Sequence, residues 1–221
     1  MKNYNIIVTG ANGETATAVI NKLLTKNCMV FGLSSCDRHN SIVDSHYKHI
    51  QTDILDISVL KIAFNTILDT DTPIHGLINI AGGFTMGQYI SSEISNEWER
   101  MYKVNFISTL NCISLVIQHM KNNNFGRIIN FGSSAALDGM ASAGPYIISK
   151  SSVHALTKIV SKEIDDYHIT CNAILPGIIA TQANKNAMPG ESTDSWISMD
   201  VIFNTIYQLL NSDDNGSLIS I

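Results

Sequence analysis

The chain has 221 residues, 45 % of them hydrophobic, and a formal net charge of −5. That length suits one α/β domain with a sizeable core. The scattered charges leave no electrostatic footprint for nucleic acid, and no apolar run is long enough to span a bilayer.

In chain order, short apolar runs predict strands over residues 5–9, 28–33, 48–51, 74–80, 127–131, 170–175 and 217–221. Between them, apolar positions at helical spacing predict helices over 14–26, 57–68, 97–121, 146–165 and 200–211. Alternating strands and helices predict right-handed crossovers and a doubly wound parallel sheet in a single α/β domain, 1–221. Residues 182–199, which contain Pro189-Gly190, show no clear period. After a late strand they would lie near the carboxyl ends of the strands, as a lid or as an ordinary surface loop. Cys28, Cys36, Cys112 and Cys171 form no C-x-x-C pair, so neither a disulfide framework nor a zinc site is expected. Asp44, His46 and His49 cluster in sequence but read as surface residues, so no metal is expected. With a strand-like run already begun by Asn5, no secretory leader is expected, and the chain reads as soluble and cytoplasmic.

The first turn reads Thr9-Gly10-Ala11-Asn12-Gly13-Glu14-Thr15-Ala16. Gly10 permits a tight turn at a strand end, and Gly13 lets backbone approach a phosphate. The free N–H groups of the following helix would face a pyrophosphate. The spacing is G-x-x-G-x-x-A, with alanine where close helix–strand packing is needed. Glu14 is expected to point away from the phosphates, which would rest on the Gly13 backbone.

Downstream, Tyr146 and Lys150 open a predicted helix, and a spacing of four stacks them on one face. A lysine cation beside a phenol favours phenolate, lowering a tyrosine pKa from about 10. That suits general acid–base work near neutral pH. Ser133 lies thirteen residues before Tyr146, after Ile128-Ile129-Asn130-Phe131-Gly132. Asn79-Ile80-Ala81-Gly82-Gly83 closes another strand, Asn105 sits in the predicted 97–121 helix, and Pro176-Gly177-Ile178-Ile179-Ala180-Thr181 follows a further strand.

These stretches, with Asp53 after the third strand, stand in the order found in the short-chain dehydrogenase/reductase family, which the chain resembles over essentially its whole length. The resemblance implies a Rossmann-type fold and an NAD(P)(H)-dependent oxidoreductase acting on a carbonyl or secondary alcohol. Tyr146 would exchange a proton with the substrate oxygen, and Ser133 would donate a hydrogen bond to it. Lys150 would lower the tyrosine pKa and hold the nicotinamide ribose, and Asn105 would fix a water linking Lys150 to solvent. Asp53 and the Ile54 backbone would hold the adenine. Asn79, Ala81 and Gly82 would line the cofactor ribose, and Ile179 would offer backbone to the carboxamide. Gly10, Asn12, Gly13, Pro176, Gly177 and Thr181 complete the implied cofactor-binding set.

NAD selectivity in such folds uses a carboxylate at the end of the second strand. Here that position is Ser34, with Arg38 close behind to pair with a 2′-phosphate. The balance favours NADP over NAD, although Asp37 could be presented instead. Ala135-Ala136-Leu137-Asp138-Gly139 and the ending Gly216-Ser217-Leu218-Ile219-Ser220-Ile221 also resemble quinonoid dihydropteridine reductase. Ser133 departs from that pattern, so a pterin substrate is the alternative. A non-catalytic, cofactor-sensing member is a further alternative, against which all four catalytic positions are filled. Trp196, in the segment without period, is the better of the two tryptophans for touching substrate. The two long helices, around 106–120 and 151–165, would pair chains into a homodimer or homotetramer, as the resemblance implies.

Overall fold

The computed structural model describes residues 3–36, 42–68, 72–90 and 95–221. Seven strands form one sheet: β1 Asn5–Thr9, β2 Met29–Ser34, β3 Tyr47–Gln51, β4 Gly76–Asn79, β5 Gly126–Phe131, β6 Ile169–Leu175 and β7 Leu218–Ser220. Every pairing is parallel and the order is β3-β2-β1-β4-β5-β6-β7. The order reverses between β1 and β4, which opens a crevice at their carboxyl ends. The central strands are apolar because helices cover both faces. Ile6 and Val8 enter one core, beneath α1 Glu14–Leu24 and α8 Met199–Leu210. Ile7 enters the other, beneath α2 Ile57–Leu68, α4 Ser108–Asn123 and α6 Gly144–Glu163, as the two-residue period of a strand requires.

The helices follow from apolar stripes and caps. In α2, Leu60, Phe64 and Ile67 fall on one face and are buried, each contributing about 1.5–3 kcal/mol relative to exposure. Asp56 starts that helix, its Oδ1 accepting the Ser58 and Val59 N–H groups at 2.9 and 3.2 Å. Pro145 lies in the first turn of α6, where its missing N–H costs nothing.

Three details depart from the expected elements. The helix expected over 97–121 is α3 Glu97–Met101, a π-helical segment Tyr102–Ile107, and α4. The wider turn carries Asn105 fully inside. A short helix, α5 Ala135–Asp138, follows β5. The segment without period begins as α7 Gln182–Ala187, capped by the Thr181 hydroxyl, which accepts the Asn184 N–H at 3.2 Å. Neither α5 nor α7 buries a residue, so neither leaves an apolar stripe to read. Among the described residues no helix is long and apolar enough to cross a membrane. His46 donates its N–H to Asp44 Oδ1 at 2.8 Å, whereas His49 Nε2 meets the Ser34 hydroxyl at 2.6 Å.

Candidate active site

The glycine turn closes the carboxyl end of β1. Gly10 has φ +72°, and a Cβ there would meet Ala81 Cα at 2.9 Å, so conformation and space both require glycine. Gly13 is extended, donates its N–H to Gly10 O at 2.8 Å, and precedes α1 with no side-chain cap. The turn is tied to both neighbouring strands. Ala81 N–H donates to Thr9 Oγ1 at 3.1 Å, and Ala11 N–H donates to Leu33 O at 3.0 Å. Asn12 Nδ2 donates to Cys36 O. A cradle without Cβ atoms, under an uncapped helix N-terminus, fits the pyrophosphate of a dinucleotide.

A cavity of about 520 Å³ opens over this turn. Gly10, Asn12, Gly13, Ser34, Asp53, Ile54, Ala81, Gly82 and Thr181 all line it. Glu14 also lines it, and its Oε2 accepts the Gln182 N–H at 2.7 Å. The Glu14 carboxylate thus joins the turn to α7. Asp53 accepts the Leu55 N–H at 2.9 Å and is not the cap of α2, which is Asp56. Ile54 O accepts Asn111 Nδ2 at 3.3 Å.

Beyond the cavity, Ser133 follows β5 and Tyr146 lies in the first turn of α6, with Lys150 one turn further. The Ser133 side chain hydrogen-bonds the half-buried Tyr146 phenol. Burial pushes the Tyr146 pKa up, and the Ser133 bond pulls it back in part. The Lys150 ammonium, 6 % exposed, donates to Phe131 O at 2.6 Å. Burial pushes its pKa down to about 8. The expected lowering of the phenol by the lysine is therefore not what dominates; burial is. Asn105 accepts the Gly83 N–H at 2.8 Å and donates to Gly83 O at 3.1 Å and Ser149 Oγ at 2.9 Å. Ser149 in turn donates to Tyr146 O at 2.7 Å. Asn105 thus locks the loop after β4 to the start of α6. Gly82 is required beside it, since a Cβ would meet Asn105 Oδ1 at 2.7 Å.

Not every expected residue reaches the cavity. Asn79 is buried in β4, where its Nδ2 donates to Asn130 Oδ1 at 2.9 Å. Like Ser133, Tyr146 and Lys150, it is not among the residues that line the cavity. Pro176 O accepts the Ser134 N–H at 3.2 Å, and Gly177 N–H donates to Ile221 O at 3.0 Å. Ile179 O accepts the Thr181 N–H at 2.7 Å and Asn184 Nδ2 at 2.8 Å. Arg38 and Asp37 lie outside the described residues. Trp196 is 9 % exposed, whereas Trp98 packs beside Gly144. Two residues here were missed from sequence: Ser149, and His154, whose Nε2 accepts the Ser133 N–H at 3.3 Å. The i, i+4, i+8 spacing of Tyr146, Lys150 and His154 was the available signal for the latter.

This fold and constellation define a class that comparison with known proteins makes explicit. Residues 4–192 match the family described as short chain dehydrogenase. The chain belongs to that family and is an oxidoreductase. It is 29 % identical over 182 residues to "Short chain dehydrogenase adrF" of Penicillium rubens, covering 82 % of this chain and 71 % of that one. It is 28 % identical over 207 residues to the 7alpha-hydroxysteroid dehydrogenase of Paraclostridium sordellii, covering 90 % and 78 %. The solved structure of ElxO with NADP bound is similar in fold, with a TM-score of 0.91 at 24 % identity, covering 100 % of this chain and 97 % of that one.

Proposed function

We propose that the chain moves a hydride between NADP(H) and a carbonyl or secondary alcohol, with Tyr146 as the acid–base group. The observation that carries this reading is the Ser133–Tyr146 hydrogen bond one helix turn from Lys150, whose ammonium lies beside Gly82 on the lining of the glycine-cradled cavity. A bound nicotinamide would supply or accept the hydride. Tyr146 gives its proton to the carbonyl oxygen in reduction and takes it back in oxidation. Ser133 donates a hydrogen bond to that oxygen as charge develops. Lys150 would hold the nicotinamide ribose, and Asp53 and Ile54 would hold the adenine. NADP rather than NAD is supported by Ser34 in place of a carboxylate at the end of β2, with the His49 imidazole against it.

The substrate's body is apolar. Phe84 sets its ring edge to Tyr146 at 4.9 Å and is 56 % exposed. Met86, Tyr89 and Ile90 on the same loop are also exposed, as are Leu137 and Met140 between Ser133 and Tyr146. Apolar surface concentrated around a reactive phenol suits a bulky uncharged ketone. The experiment is a titration with NADPH and NADH, then a panel of alicyclic, sugar and quinonoid-pterin substrates with the tighter cofactor. NADPH-dependent turnover of the alicyclic ketones is expected. Cofactor binding without turnover of any carbonyl would favour a sensor and overturn the reading.

Exposed Tyr102, Ile148 and Ile159, on the segments α3–α4 and α6, support pairing of two or four copies. A monomer mass by light scattering at micromolar concentration would count against it.

A further inference from the structure

We propose that His154 is a positioning residue for Ser133: its neutral Nε2 accepts the Ser133 amide N–H and holds the serine against Tyr146, and protonation of the ring releases that hold. The inference rests on the acid–base reading of Ser133 and Tyr146 given above.

Three observations carry it. The first is the end of β5. Gly132 N–H donates to Ile174 O at 2.8 Å and Ser134 N–H donates to Pro176 O at 3.2 Å. The Ser133 N–H between them points the other way, and His154 Nε2 receives it at 3.3 Å. A buried amide needs an acceptor, and here a side chain supplies it. The second is Gly132. An added Cβ there would run into Nε2 and Cδ2 of His154, so the residue before the serine is small where the ring must pass. The third is burial: His154 is 7 % exposed and Ser133 5 %, so water does not readily replace the bond.

The ring accepts at Nε2 only while neutral, with its proton on Nδ1. Protonated, it would set N–H against N–H and leave the buried Ser133 amide without an acceptor. The groups it meets are Gly132 and Ser133, just past the end of β5, and the charge that acts on it is Lys150 on its own helix. Burial first, then the Lys150 charge, hold its pKa below the usual 6.5. The ring is thus neutral at pH 7 and charges as pH falls through its lowered value. Lys150, near 8, titrates on the other side of neutrality.

The test compares the full-length wild type with His154→Gln and His154→Leu. The wild type is expected to lose kcat on an acid limb below pH 6.5, after correction for cofactor decay. His154→Gln keeps an acceptor that does not titrate, so it retains activity at pH 7 and loses that limb. His154→Leu removes the acceptor and is expected to lower kcat about 10–100-fold at every pH, as a small misplacement of a catalytic group does, with NADPH affinity unchanged. A second readout needs no turnover: the Ser133 amide 1H–15N signal, assigned by Ser133→Ala, should follow the imidazole titration and cease to do so in His154→Gln. An acid limb that persists unchanged in His154→Gln, or an amide signal indifferent to the ring, overturns the proposal. An amide that follows the ring in a protein that reduces no carbonyl upholds the contact and overturns the proposed function instead.

Discussion

Replacing Tyr146 by phenylalanine is expected to lower kcat by about 10²–10⁴-fold, the usual contribution of one acid–base group. NADPH affinity and melting temperature should change little. The substitution removes one oxygen and keeps the ring that Phe84 meets edge-on at 4.9 Å. What is lost is the hydroxyl bonded to Ser133. The pH dependence follows from the direction of the shift. Burial holds the Tyr146 pKa above its ordinary value of 10.0, the Ser133 bond offsetting part of that. The phenol is therefore protonated at neutral pH, the form that reduction needs. Reduction should be flat through neutrality, and alcohol oxidation should rise as pH rises. Steady-state kinetics in both directions, with NADPH binding followed by fluorescence, would check this. Tyr146→Phe with unchanged turnover would remove the phenol from the chemistry.

The sheet was readable because its strands are buried on both faces, so they appear as unbroken apolar runs such as Ile6-Ile7-Val8. The long helices were readable from buried stripes such as Leu60, Phe64 and Ile67. Elements that bury nothing, α5 and α7, left no pattern to find. The π-helical segment was hidden for another reason: it changes backbone hydrogen bonding without ending the run of helical residues around Asn105. At the site, the order of motifs brings Ser133, Tyr146 and Lys150 forward together, whereas the face a strand residue takes depends on its place in the strand. Asn79 lies two residues after Leu77, which belongs to the core under α2, α4 and α6, so its side chain shares that face. It pairs with Asn130, which donates to Thr157 Oγ1 at 2.9 Å. The electrostatics lay further from reach. Burial governs Tyr146, while the Lys150 ammonium goes to the Phe131 carbonyl, and no spacing encodes either.

Lys150→Met is expected to move stability and activity in opposite directions. The ammonium is 6 % exposed and donates to the neutral Phe131 carbonyl, and burial pushes its pKa from 10.5 to about 8. A base whose pKa is lowered on folding binds its proton more weakly in the folded state. The cost is fully present below about 8. Between that value and the unfolded 10.5 the unfolded chain holds more protons, so stability rises with pH across this window. The displacement corresponds to about 3 kcal/mol. Methionine removes that cost but leaves Phe131 O without its donor, a loss of about 1–3 kcal/mol. The cofactor-free variant should therefore be more stable than wild type by about 1 kcal/mol at pH 7, or about 2–4 °C in Tm for a chain of this size. Its advantage should shrink and reverse as pH rises toward 10, because only the wild type gains from deprotonation. Activity should fall at least about 100-fold, since the phenol loses its cationic neighbour and the ribose its anchor. Urea unfolding of both proteins at pH 7 and pH 10 is the measurement. A variant less stable at pH 7, by a margin that does not depend on pH, would mean that Lys150 stabilises the fold. The opposite result would mark it as a group kept for chemistry at the expense of the fold.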